Sequence, residues 1–71
     1  MKAIETMLLI ELLNKFWEEE REEGGDANIM AAMYDKQDEL LLMCTKHKRN
    51  CNEAAKMMGY SGLDNFLKET E

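Results

Sequence analysis

The chain has no proline and no valine, one histidine, five aromatic residues and two cysteines among its seventy-one residues. Without proline, no helix is interrupted from within. The β-branched side chains reduce to Ile4, Ile10, Ile29 and three threonines, too few to build a sheet. Two cysteines seven positions apart do not make a disulfide framework, so reduced thiols are expected. The apolar stretch after Lys2 is cut by Glu5 and Glu11, and no run approaches the ~18 apolar residues that mark a membrane span. A soluble, cytoplasmic protein that does not contact a membrane is the expectation. Catalytic equipment is also scarce, with a lone His47, no glycine-rich phosphate loop and carboxylates placed for solvent. A non-enzyme without a cofactor follows.

What the chain does hold is strong helix formers: Leu, Met, Glu, Lys and Ala dominate, and the class is all-α. A domain of this size buries only about 60% of the surface its unfolded chain exposes. A single core below ~70 to 80 residues rarely supplies more than ~3 to 5 kcal/mol, so a second chain is expected to help. The formal net charge of -6 hides an asymmetry. Residues 1–45 carry four basic side chains against eleven acidic ones, whereas residues 46–68 carry five against Glu53 and Asp64. Fields of opposite sign attract different partners.

Four helices are predicted in one domain: a long antiparallel hairpin over 3–47 as the dimerisation part, then two short helices over 50–68. The first helix, from Ala3 to about Glu23, spreads its apolar residues almost all round, which demands cover on more than one side. Leu9, Leu13, Phe16 and Trp17 are the candidates for a homodimer or partner interface. Gly24-Gly25 ends this helix, the acids before it suit its C-terminal end poorly, and Asp26 caps the second. The second helix gathers Ile29, Met30, Met33, Tyr34, Leu40, Leu41, Cys44 and His47 on one face, with Gln37 among them. Asn50-Cys51-Asn52-Glu53 carries the spacing of a capping box and predicts the start of the third helix. Gly59 stops it. Ser61-Gly62-Leu63-Asp64 repeats the signal for a fourth helix with Leu63, Phe66 and Leu67 inward, and the tail after Lys68 is expected to be loose.

"NEAAKMMGYS" resembles the bacterial helix-turn-helix, in which a small residue at Ala55 lets two helices approach and a glycine at Gly59 makes the turn. "RNCNEAAKMMGYS" is similar to the Fis-type version and "GYSGLDNF" to the AraC-type version, and the resemblance covers residues 49–68. It implies a small dimeric protein that binds double-stranded DNA in transcriptional control or a related transaction, of bacterial or phage origin. Lys46, Lys48, Arg49 and Lys56 are then the phosphate contacts, and Asp64, Asn65 and Lys68 face the bases. The base-facing set contains an acid and no arginine, which departs from the family pattern. The alternative is an acidic protein-interaction module, an inhibitor or adaptor, with no DNA binding.

Other constellations keep two readings each. Cys44, His47 and Cys51 share a face on a continuous helix, but zinc needs a fourth ligand, so inert thiols compete with a weak metal candidate. A Cys44 to Cys51 disulfide is disfavoured, since seven helical residues span ~10 Å and the bridge needs Cα atoms within ~7 Å. Gln37 either pairs across a dimer axis or turns to the edge. The seven methionines serve an adaptable groove or plain core filling. The run Glu18-Glu19-Glu20-Arg21-Glu22-Glu23 either imitates nucleic-acid charge toward a basic protein or is a solvated helix end.

Overall fold

The computed structural model describes residues 2–69, and the last two residues of the expected loose tail lie outside that range. Four α-helices follow one another: α1 (Ala3–Glu22), α2 (Ala27–Lys46), α3 (Lys48–Met57) and α4 (Leu63–Glu69). No strand occurs among the described residues. The fold class read from composition is the one observed, and the two long helices form the expected hairpin. Its antiparallel register is fixed by three contacts: Met7 to Cys44, Asn14 to Gln37 and Trp17 to Tyr34. Moving seven and then three residues up α1 moves the same distance down α2.

Backbone chemistry explains where the helices stop. Gly24 (φ +116°) and Gly25 (φ +68°) close α1 by donating to the Arg21 and Glu20 carbonyls at 3.3 and 2.9 Å. Gly59 (φ +98°) closes α3 in the same way: its N–H reaches Lys56, and that of Tyr60 reaches Ala55. A Cβ makes these left-handed conformations costly, so glycine stands at each turn. Asp26 caps α2, its Oδ1 accepting from the backbone N–H groups of Asn28 and Ile29 at 2.9 and 3.1 Å. Replacing it by alanine should lower stability by about 1 kcal/mol. Urea unfolding of Asp26→Ala and Asp26→Asn checks this, and the asparagine should restore most of the loss.

The expected capping box at Asn50 and Glu53 does not form. The chain breaks three residues earlier, where His47 takes φ -118° and ψ 51°, and α3 is under way by Lys48. Asn50 therefore lies inside the helix. The Cys51 N–H already donates to the His47 carbonyl at 3.0 Å, which delivers Cys51, Ala54 and Ala55 to the core as one helical face. The start of α4 also differs from expectation. Its cap comes from α3: Asn52 Oδ1 accepts from the Leu63 N–H at 2.9 Å. A Cβ on Gly62 would approach that oxygen to 2.8 Å, so a larger residue here would push the Asn52 cap aside.

The core sits at one end of the hairpin. Met7, Ile10, Leu40, Cys44, Cys51, Ala54, Ala55, Leu63 and Phe66 are buried there, with Leu9, Leu13 and Leu67 packed at its margin. Buried Thr6 is satisfied by donating to the Lys2 carbonyl at 3.3 Å. The other end of the hairpin has only its two helices to cover it. Ile29 and Tyr34 accordingly remain 46% and 58% exposed, and His47 is also exposed, although the sequence pattern put all three on the inner face.

Candidate functional site

Three surface features arise from this arrangement. The first is on α1. Thr6, Met7 and Ile10 face the core, so the side opposite them has nothing of this chain to meet. Leu8, Leu12 and Phe16 lie there at helical spacing of four, each 47% exposed. Of the interface residues expected from sequence, the structure keeps only Phe16 on this open row. Leu9 and Leu13 pack on the core instead. Trp17 turns to the hairpin, meeting Tyr34 edge-on at 5.8 Å under the Arg21 guanidinium, 5.3 Å from the ring centre. The exposure of Leu8 and Leu12 could not be read from sequence, because a helix wheel apolar nearly all round does not say which row the later helices will cover. Their i, i+4 repetition was the available signal.

The second feature is the corner between α2 and α3. Lys46, Lys48, Arg49 and Lys56 are all exposed, and neither ion pair found among the described residues, Arg21 with Glu18 and Lys36 with Glu39, uses them. A cleft of about 340 Å³ beside this corner is lined by Lys2, Thr6, Met43, His47 and Asn50, so the start of α1 adds one more cation. On α4, Asp64 and Lys68 are exposed. Asn65 is half-buried, and its Oδ1 accepts from the Ser61 N–H at 3.2 Å, which turns it toward its own turn.

The third is a groove of about 780 Å³ between α1, α2 and the end of α4, with Leu13, Trp17, Met33, Gln37 and Leu41 in its walls. Gln37 does not need a dimer partner for its amide, because its Nε2 donates to Asn14 Oδ1 across the hairpin at 3.0 Å. Its Oε1 and the Trp17 Nε1 are buried without a hydrogen-bond partner. Such groups weaken local stability, since each costs about 1 to 3 kcal/mol of unrecovered desolvation.

The Cys44, His47 and Cys51 trio is divided by the break at His47. Both thiols are reduced and buried, whereas His47 faces solvent. Among the described residues no three His, Cys, Asp or Glu side chains are placed to share a metal ion. The Cys44 thiol touches Met7 Sδ at 3.6 Å and is pushed up to about 12, first by burial and then by its hydrogen bond and charge interaction with Cys51. A thiol so held is a structural group rather than a nucleophile. The folded value exceeds the ordinary 9.0, so this contribution to stability is complete below pH 9 and is lost as pH climbs toward 12. Between pH 9 and 10 the unfolding free energy should fall by on the order of 1 kcal/mol. Urea midpoints under reducing conditions measure it, and Cys44→Ala should remove the slope from an otherwise less stable protein.

Tyr60 joins the turn to α1. Its phenol is held above its ordinary value, by desolvation first and then by the charges of Glu11 and Glu69 and a hydrogen bond to Glu11. Its ring meets Phe66 edge-on at 5.0 Å. Glu11 thus ties the turn between the two short helices to α1, and Asn52 ties those helices to each other. No helix among the described residues is long and apolar enough to cross a membrane. Compared with protein-family models, with curated proteins and with solved structures, the chain matches none.

Proposed function

We propose that this chain is an acidic protein-interaction module, an inhibitor or adaptor, that docks another protein on the outer face of α1. The observation that carries the proposal is the row Leu8, Leu12 and Phe16, half-exposed on a helix whose opposite face already holds the core. Single exposed leucines are ordinary, but an aligned apolar row on a long helix is the form of a docking seam. The chain's charge of -6 adds long-range attraction for a basic partner. Affinity capture from the source cells tests this reading. A specific protein should be retained by the wild type and by Lys48→Ala/Arg49→Ala, and lost with Phe16→Ser; the opposite pattern would exclude it.

A second reading keeps the helix-turn-helix resemblance and is supported by the α2–α3 corner, whose cations are exposed and outside the ion pairs found. In that case the corner holds phosphates, and two copies are needed to make a useful footprint. Asp64 and the engaged Asn65 leave α4 a poor reader of bases, so affinity rests on the backbone term and falls steeply with salt. Mobility shift at low salt decides it. Retardation of duplex DNA that weakens in Lys48→Ala/Arg49→Ala supports this reading, and no retardation removes it.

A further inference from the structure

We propose that Cys44 and Cys51 are a disulfide site: a low-molecular-weight disulfide oxidises the pair to an intrachain bridge that staples α2 to α3 across the break at His47. Neither reading of the surface uses these two thiols. Both cysteines are 1% exposed and belong to one core cluster. The ~10 Å span that disfavours such a bridge belongs to one continuous helix. Here α2 ends at Lys46, His47 takes φ -118° and ψ 51°, and α3 begins at Lys48. Cys44 therefore stands in the last turn of one helix and Cys51 in the first turn of the next. Both helices bring their cysteine to the same core, where the two thiols meet through a hydrogen bond. A chain this short gains more from a covalent staple than a larger domain does, because its own core is small.

The two thiols differ in access. Cys51 belongs to the lining of the cleft of about 340 Å³, with Lys2, Met43 and His47, whereas Cys44 is outside that lining and touches Met7 Sδ at 3.6 Å. Cys51 therefore reacts first. Its thiolate attacks one sulfur of the small disulfide to give a mixed disulfide, and the other half departs as a thiolate that takes up the proton Cys51 lost. Cys44 then attacks the Cys51 sulfur, its own proton passing to the second departing thiolate. The protein pair loses two electrons and two protons, and the small disulfide gains them as two thiols. Burial keeps Cys44 inert toward reagents in solvent, so the second step depends on adjacency, which raises the effective concentration of an intramolecular group by orders of magnitude. The closed bridge spans the break beside exposed Lys46, Lys48 and Arg49 and fixes how the basic corner is presented.

Incubating the reduced full chain with oxidised glutathione in native buffer tests the site, with the intact mass read in the absence of reductant. The expected product is a monomer lighter by two hydrogens, with no free thiol in denaturant and a cross-link between Cys44 and Cys51 in the digest. Dithiothreitol should restore both thiols. The melting midpoint of the oxidised chain should exceed that of the reduced chain by about 10 °C, since a bridge restricts the unfolded state. Cys44→Ala should stop with one glutathione on Cys51, and Cys51→Ala should gain none over the same time. If either variant fails to fold, the wild-type mass still decides. Two free thiols retained, glutathione on both cysteines, a disulfide-linked dimer, or a bridge that forms only in denaturant overturns the proposal. A bridge that leaves the melting midpoint unchanged or lower overturns it as well, because the native core would then not accommodate the bond.

Discussion

Phe66→Ala should unfold this protein at room temperature. Phe66 is fully buried at the junction of α4 with the rest of the core, edge-on to Tyr60. Truncating a buried phenylalanine to alanine costs about 3 to 5 kcal/mol, from lost burial and the cavity left behind. A core in a chain this short supplies a similar total, so nothing remains in reserve. The far-ultraviolet dichroism of the variant should show most of the helical signal gone without denaturant. Phe16→Ala is the control with the same side chain removed. Phe16 is 47% exposed, so the loss there should stay near 1 kcal/mol or below and the protein should remain folded. Comparable damage from both substitutions would mean that α1 is covered on its outer side in the free protein.

Leu12→Glu should do the reverse, leaving the fold intact and abolishing partner binding. Leu12 stands at the centre of the open row and is also 47% exposed. Leucine and glutamate have similar helix propensities, so the substitution removes little from the free protein. In a complex the same position is enclosed, and a carboxylate there has neither water nor a counter-charge. A central, desolvated contact of this kind is worth at least about 2 kcal/mol, or roughly thirtyfold in affinity. Affinity capture from the source cells, paired with a thermal melt of the purified variant, reads both halves of the expectation. A melt lowered by more than a few degrees would attribute any loss of binding to unfolding instead.

The elements of the fold were readable from local chemistry wherever that chemistry is self-contained. Asp26 and the glycine pairs act within a few residues, and the structure uses Asp26, Gly24 and Gly59 as the sequence suggests. The break at His47 was misplaced because Asn50 offers a capping side chain, yet the burial of Cys51 together with Ala54 and Ala55 governs where α3 begins. Asn52 as the cap of α4 depends on two helices meeting, and the small gap kept by Gly62 is visible only once they do. The candidate site shows the same division. An over-apolar first helix could be read as needing a partner, but the identity of the uncovered row depends on where the short helices land. Their turn settles against Glu11 of α1, Leu9 and Leu13 pack on the core, and Leu8, Leu12 and Phe16 stay outside. The basic corner needed only the sequence, since Lys46, Lys48 and Arg49 are neighbours in the chain.

The most direct measurement places a photoactivated cross-linking side chain at position 12 in the source cells, with the same group at exposed Asp35 as the reference site. An adduct should form at position 12 alone and join this chain to another protein. An adduct only with a second copy of this chain, or equal labelling at positions 12 and 35, would contradict it.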